Sequence, residues 1–524
     1  MKKEKILQIE EISDSAAVNL SLDTIKISKQ ALVFVNTKRS AEKTAEDIAK
    51  KIKLRDAEIF ELTRISEEAY NVLSQPTKQC ERLADCLKKG VAFHHAGLTH
   101  KQKEIIEDNF KAGKIKIISC TPTLAAGLDL PAFRAILKDL KRYSHRGMAY
   151  IPVLEYLQMC GRAGRPKYDV YGEAISVAGS ESEKNEIIDR YIYGVPESIT
   201  SKLAVEPVLR TYLLSLIATE FVDDKKSIQN FFEKTFWAYQ FKDMEELDKI
   251  ISKMLALLEK WEFIVGFAEK KDFVSADELS SGKIKATLMG KRAAELYIDP
   301  YTARFFLDCS LKISKRKIPA FAFLQVISHT LEMRPLLAIR SKEMDEVEEK
   351  LNQFSADLLE SEPSIYDSEY DDFLRSIKTA LFFNDWIEEK DEEYLLEKYN
   401  VRPGETRAKL DIADWLLYCI EELLKVAQNR KMLSEIEKIR IRIKYGVKEE
   451  LIPLLRFKNI GRVRARKLYG NKIRNLKEVK DVDIVKLTQL LGKNVAIDLK
   501  KQVGIDHDNV EKKSGFGNLK DYTS

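Results

Sequence analysis

The pattern of apolar residues changes character near Pro196, and this change constrains the fold more than any other feature of the chain. Before it, short apolar runs, ALVFV at 31–35, VAFHH at 91–95, IKIIS at 115–119 and EAISV at 173–177, alternate with amphipathic stretches at 40–52 and 101–110. Such runs suit strands buried on both faces. Strands alternating with helices predict a parallel, doubly wound α/β sheet whose ligands bind at the carboxyl ends of its strands. After Pro196 the apolar residues recur at helical spacing without that alternation. Met244, Leu247, Ile251, Met254, Leu258 and Trp261 form one helical stripe, followed by the β-like pieces EFIVGF and KDFV. Helices followed by a small hairpin predict a winged-helix module over 196–297. An all-helical region is expected over 298–445, further helices over 446–506 and a polar tail over 507–524. At 524 residues several cores are required, because single cores stop growing well below this length.

Composition narrows the class. No apolar run approaches the roughly 20 residues that cross a bilayer, and the first residues resemble neither a signal peptide nor a presequence, so a cytoplasmic protein is expected. The six cysteines are scattered without a CxxC, so neither a zinc module nor a disulfide framework is expected. The net charge of +5 conceals an asymmetry: residues 341–400 carry nineteen acids against six bases, whereas 446–480 carry eleven bases against three acids. The second stretch is a candidate nucleic-acid surface.

Four strand-end segments carry the chemistry. In QMCGRAGRP, residues 158–166, two arginines three apart each follow a glycine, so two guanidinium forks can flank one polyanion such as a nucleotide γ-phosphate. Upstream, SCTPTLAAGLDLPA at 119–132 runs from a strand through Thr121 and Thr123 to a turn at Gly127 and Asp129. Hydroxyls and backbone N–H groups there suit phosphates, and the carboxylate suits a ribose hydroxyl or an arginine. FVNTKRSAEKTA passes from a buried strand through Asn36, Thr37, Lys38 and Arg39 into a helix, and HHAGL at 94–98 supplies the fourth loop. Its paired histidines have no cysteine or carboxylate at ligand spacing, so they are expected to satisfy local hydrogen bonds, with no metal bound.

In this order the four segments resemble motifs IV to VI of superfamily 2 helicases. The wording HHAGL, TPTLAAGLDLPA and QMCGRAGRP is similar to the Ski2-like group. EYLQMCGRAGRPKYDVYGEAI, SKLAVEP and GKRAAELYIDPYTA extend the resemblance to archaeal repair helicases of the Hjm kind, related to the helicase part of DNA polymerase theta. The resemblance covers residues 29–506 and implies a multidomain chain: an α/β RecA-like domain over 29–195, winged helix, all-α ratchet domain and helix-hairpin-helix, with 1–28 as a remnant or linker.

By the same resemblance Arg162 and Arg165 contact the γ-phosphate and Gln158 helps to orient the attacking water, while Gly127 and Asp129 link nucleotide to DNA. Thr37, Arg39, Thr121 and Thr123 hold phosphates of the tracked strand. The segment 138–150, with Arg142, Tyr143, Met148 and Tyr150, forms the β-hairpin that splits the duplex. On ETRAKLDIADWLLYCIEELLK, Trp415 stacks on a base of the moving strand; its face, shared with Ile412, Leu416, Cys419 and Leu423, otherwise reads as core. LLRFKNIGRVRARKLYGNKI resembles a helix-hairpin-helix in which Gly461, Arg462, Arg464, Arg466 and Lys467 grip phosphates without reading sequence, with Asn459 where the family has the first hairpin glycine.

One departure is large. No GxxxxGK[ST] and no DExH occurs in the 524 residues. Those motifs cradle phosphates and hold Mg²⁺, so ATP and Mg²⁺ are expected to need an additional N-terminal RecA-like half, either truncated or encoded separately. The expected partners are that half, single-stranded DNA and forked DNA, with no membrane. The competing readings are a DNA-binding module without catalysis and a Ski2-like RNA helicase.

Overall fold

The computed structural model describes residues 6–53, 56–127, 130–144, 147–165, 169–203, 205–267, 283–312 and 318–504. The chain forms two compact units, one of residues 1–199 with 391–408, the other of 200–390 with 409–524.

The first unit begins α1 Ala16–Lys26, β1 Ala31–Phe34, α2 Lys38–Ala49, α3 Asp56–Tyr70, α4 Lys78–Leu87, β2 Val91–His94 and α5 His100–Lys111. It continues β3 Ile117–Cys120, α6 Thr123–Gly127, β4 Arg134–Leu137, β5 Lys141–Ser144, β6 Gly147–Tyr150, α7 Val153–Cys160, β7 Glu173–Ser176 and α8 Glu181–Ile187, which ends in a π-helical turn at Ile188–Ile192. Five strands make one parallel sheet in the order β2-β3-β1-β4-β7. The residues of β1 to β4 are all buried, as continuous apolar runs require when helices cover both faces. α2 shows how a helix is fixed to this sheet: Thr37 caps its first turn by accepting from Ser40 N at 3.0 Å, and Ala41, Ala45 and Ile48 face the core.

Two features went beyond the expected pattern. β4, RAIL, was not foreseen as a strand because a charged residue opens it. Arg134 is buried and donates to Asp23 at 2.6 Å, Thr24 at 3.1 Å and Glu173, partners that lie 39 to 111 residues away. The stretch 1–28, expected as a remnant or linker, contains α1, whose Ala17, Val18 and Leu22 join the core of the sheet.

From residue 200 onward the described elements are helical apart from one pair of short strands. They run α9 Glu206–Ala218, α10 Lys225–Phe232, α11 Phe236–Phe241, α12 Met244–Lys260, β8 Ile264–Val265, β9 Lys285–Ala286, α13 Leu288–Glu295, α14 Pro300–Leu311, α15 Ala320–Ser328, α16 Met344–Phe354 and α17 Tyr370–Ile387. α18 Glu392–Tyr399, α19 Pro403–Val426, α20 Leu433–Tyr445, α21 Arg462–Gly470, α22 Leu476–Asp481, α23 Ile484–Leu491 and α24 Lys493–Gln502 follow. The stripe foreseen on α12 is inward, with Leu247, Ile251, Met254 and Leu258 buried. EFIVGF supplies β8, which pairs antiparallel with β9. KDFV at 271–274 lies outside the described residues, as does the tail.

Residues 391–408 return to the first unit. There the opening turn of α19 sits so close to the HHAGL loop that Gly404 N donates to Gly97 O at 3.0 Å. A Cβ on Gly404 would meet Leu98 O at 2.1 Å and Ala96 O at 2.7 Å, so only glycine fits.

Candidate nucleic-acid interface

In a doubly wound sheet the carboxyl ends of the strands meet where the connections reverse direction, here around β1 and β4. A cavity of about 830 Å³ opens at these ends, lined by Thr37, Arg39, Thr121, Thr123, Gln158 and Arg142 among others. Five of these six were expected as phosphate or duplex contacts, and the fold brings the six together from between positions 37 and 158 of the chain. Thr121 and Thr123 share a hydroxyl hydrogen bond of 2.9 Å, and Thr37 keeps its own hydroxyl hydrogen after accepting from Ser40. Arg39 is exposed and donates to Asn400 Oδ1 at 3.4 Å. Of the further lining residues Asn36, Asn400 and Arg402, only Asn36 stands in a segment singled out from the sequence. Only the Pro-Gly opening of α19 marks the last two in the linear chain, and it signals a helix start rather than a site.

Beneath the cavity lies a buried charge cluster. Glu42 Oε2 pairs with Arg82 at 2.6 Å, while Oε1 meets Arg402 Nε at 2.9 Å and His95 Nε2 at 3.2 Å. Burial alone would raise the Glu42 pKa, but hydrogen bonds from His95 and Arg402 and the charges of Arg402 and Arg82 hold it at about 2. Burial lowers the His95 pKa. The second histidine of the pair, His94, meets Glu107 at 3.0 Å. Both histidines of HHAGL are therefore paired with carboxylates remote in sequence.

The glycine-arginine segment is held differently. Arg165 donates to Asp169 at 2.8 Å and to Gln30 Oε1 at 2.6 Å, and Lys29 adds a 2.6 Å pair to Asp169. The hydrogen bond from Arg165 and the charges around it keep the Asp169 carboxyl at about 2. Arg162 donates to Ala125 O through Nε at 3.1 Å and through a terminal nitrogen. Gly164 adopts φ +93 and its N–H bonds Ala132 O at 2.7 Å, which presses this turn onto the end of the sheet. Gln158 is exposed and lines the cavity, of which Arg162 and Arg165 are not lining residues. The fold thus groups Gln158 with the threonines rather than with the two arginines. Gly127 ends α6, and Asp129 lies outside the described residues.

β5 and β6 form the expected antiparallel hairpin, in which Arg142 faces Ala149 and Tyr143 faces Met148. Tyr143 and Met148 are 84% and 69% exposed, a paired apolar tip in water. Arg142 at the rim of the cavity pairs with Glu155 at 2.9 Å. Tyr150 is not a free contact: Lys141 lies 4.4 Å and Arg190 4.6 Å from its ring, and its hydroxyl donates to Glu186 at 2.8 Å. It roots the hairpin.

In the second unit Trp415 is half-buried on α19, whereas Leu416, Cys419 and Leu423 of the expected core face are fully buried. One turn on, Arg440 lies 4.9 Å over the ring of Tyr418. At the basic segment, Asn459 takes the left-handed φ of +63 that a hairpin glycine would adopt, and Gly461 caps α21. Ala465 and Leu468 are buried in a core with Leu451, Leu454 and Leu487. Arg464 and Lys467 are exposed, and Arg464 donates to Asn459 O at 2.6 Å. Arg462 lies 5.2 Å over the Trp386 ring. Arg466 is committed elsewhere: it donates to Glu389 at 2.8 Å and to Glu450 at 3.0 Å, so it braces the segment instead of standing ready for an anion. These engagements were invisible in sequence because Glu389 lies 77 residues upstream.

The family described as helicase conserved C-terminal domain matches residues 58–167, and that described as archaeal helicase, domain 4, matches 321–446. The chain is 42% identical over 479 residues to the ATP-dependent DNA helicase Hel308 of Pyrococcus horikoshii, covering 90% of this chain and 63% of that protein. The Pyrococcus abyssi protein of the same name is 39% identical over 477 residues, again with 63% of its length covered. The chain therefore spans a little under two thirds of these relatives. With the Hel308 of Methanococcus vannielii the match is 36% over 548 residues, 98% of this chain and 71% of that protein, and on this extent of identity the chain belongs to the Hel308 family of DNA helicases.

Proposed function

We propose that the chain is the strand-tracking and duplex-splitting part of an ATP-dependent DNA helicase that moves 3′ to 5′ on single-stranded DNA and opens forks in replication-coupled repair, as the Ski2-like repair helicases do. One observation carries this reading: the hairpin rises from the rim of the hydroxyl- and guanidinium-lined cavity. Arg142 of β5 lines that cavity, and the next residue, Tyr143, begins the exposed tip. A strand whose phosphates lie along Thr37, Arg39, Thr121 and Thr123 would meet Tyr143 and Met148 where its complement must leave. In this reading Trp415, half-buried on its helix, stacks on a base, and Gly461, Arg462, Arg464 and Lys467 of a helix-hairpin-helix grip backbone phosphates. The helices and two-residue β-ladder of 196–297 serve as the winged helix, and 298–445 as the ratchet domain.

The residues fit ATP only in part. Arg162 and Arg165, fixed by Ala125, Gln30 and Asp169, suit the γ-phosphate end of a nucleotide. Among the described residues no group of three or more His, Cys, Asp or Glu could hold a metal ion, and the sequence contains neither a P-loop nor a DExH. ATP with Mg²⁺ supplies the driving free energy when bound, and its phosphate cradle and metal ligands are to come from another RecA-like half. The purified chain should show no DNA-stimulated ATPase, and adding that half should create it. In the reconstituted enzyme Tyr143→Ala with Met148→Ala should abolish fork opening while leaving ATPase on single strands. Robust ATPase from the 524 residues alone, or full unwinding by the tip variant, would sink the proposal. A chain that binds DNA but never gains ATPase would instead support the reading as a non-catalytic module, which the lack of a P-loop favours.

A further inference from the structure

Arg402 is held in an unusual way. Its stem lies against Gly97, where a Cβ would come within 2.2 Å of Arg402 Cδ, so the HHAGL loop fixes its path. Its side chain is 8% exposed, and only Nε meets Glu42, at 2.9 Å. The two terminal nitrogens carry no hydrogen bond among the described residues. Compare Arg210, equally buried, which gives Asp299 two parallel bonds of 2.6 and 2.7 Å. Glu42 cannot receive Arg402 in that way because Arg82 occupies its other oxygen and His95 shares the first. Most of the side chain is enclosed, yet neither terminal nitrogen is among the fully buried polar atoms that lack a partner, so the fork reaches solvent and stands open to an anion.

The fork has a place to find one, since Arg402 lines the cavity that holds Thr37, Arg39, Thr121 and Thr123. Asn400, left-handed at φ +55, accepts from Arg39 and so steers a second guanidinium to the same wall. Arg39 has no carboxylate partner among the described residues, which leaves its charge available to an anion.

We propose that Arg402 and Arg39 form a two-guanidinium clamp for one phosphodiester of a single strand, supplied jointly by the strand-end loop after β1 and by residues 391–408. This deepens the reading of the cavity as a strand path and rests on it. Arg402 contributes through its fork, because Glu42 already offsets its charge, and Arg39 contributes the uncompensated charge.

The test is fluorescence anisotropy of a labelled dT20 with the full chain across 50–200 mM salt, beside melting curves. Arg402→Lys keeps the charge beside Glu42 and removes the fork; it should melt like the wild type and bind about tenfold more weakly. Arg39→Gln, which removes the uncompensated charge, should lower the slope of log K against log salt by about 0.7, the value of one single-strand phosphate. A third measurement needs no variant: phenylglyoxal should modify Arg402 in the free chain, and dT20 should protect it, read by mass spectrometry. Wild-type affinity in the well-folded lysine variant, or an Arg402 that is inert or unprotected, would overturn the clamp. If wild type binds dT20 and these outcomes occur, the strand path stands without the clamp; if wild type fails to bind at 50 mM salt, both fall.

Discussion

Gly404→Ala sets two physical effects of opposite sign against each other. Replacing glycine by alanine near the start of a helix ordinarily stabilises by about 0.5–1 kcal/mol, because alanine loses less backbone entropy. Here the new methyl would lie 2.1 Å from Leu98 O and 2.7 Å from Ala96 O, both backbone atoms that no rotamer change can move. Relief requires the opening turn of α19 to retreat from the HHAGL loop. That retreat stretches the 3.0 Å Gly404 to Gly97 hydrogen bond, worth about 1 kcal/mol, and adds an overpacking cost of about 1–3 kcal/mol. The net is a destabilisation of about 1–3 kcal/mol, which for a unit of about 200 residues lowers Tm by about 2–12 °C. Calorimetry of wild type and variant measures it directly. The displaced turn also carries Arg402 away from Glu42, so single-strand affinity should fall with Tm. An unchanged or raised Tm would refute the close approach on which the joining of 391–408 to the first unit depends.

Other outcomes follow from particular contacts. Trp415→Ala should weaken unwinding by the reconstituted enzyme while costing less than the about 3–5 kcal/mol of a fully buried tryptophan, because the ring is only half-buried; a larger loss in a denaturation curve would make Trp415 a core residue. Arg464→Ala with Lys467→Ala should flatten the salt dependence of DNA binding by about one to two units without changing stability. Arg466→Ala should do the reverse, since it strips Glu389 and Glu450 of their partner; equal slopes for all three proteins would show that the segment does not touch phosphate. The folded pKa of His95 lies below its ordinary 6.5, and that of Glu42 lies at about 2 against 4.5, so both groups bind protons more readily when unfolded. Their stabilisation is present at neutral pH and is lost on acidification, the His95 share first below 6.5 and the Glu42 share from 4.5 toward 2. Urea midpoints measured against pH should fall accordingly, and Glu42→Gln should flatten the lower part of that curve.

Much of this was legible in the residues because the signals are local. Four apolar runs marked four strands of the sheet, while the antiparallel pair of β5 and β6 was expected from the family resemblance of 138–150. What escaped was long-range by nature. β4 was hidden by Arg134, which a strand can bury only because Asp23 and Glu173 reach it from far along the chain. Arg466 read as a free cation until Glu389 and Glu450 claimed it. Arg402 stood outside every motif, since its meaning comes from Gly97 and Glu42, more than 300 residues away. Charge counts locate a basic surface; only the fold says which of its charges are already taken.

The assignment of residues 391–408 to the first unit also has a consequence for biosynthesis. Roughly 190 residues separate Ile199 from Asp391, and at about 5–20 residues per second they take about 10–40 s to leave the ribosome. During that interval the α/β body has its sheet but no Arg402 for Glu42 and no backbone to fill the groove beside Gly97. The nascent chain thus passes through an unfinished state of defined composition, one that an antibody or a chaperone can tell apart from the completed protein. For the same reason a polypeptide cut after Ile199 is not the first unit in isolation, and its lifetime in a cell should be that of a folding intermediate.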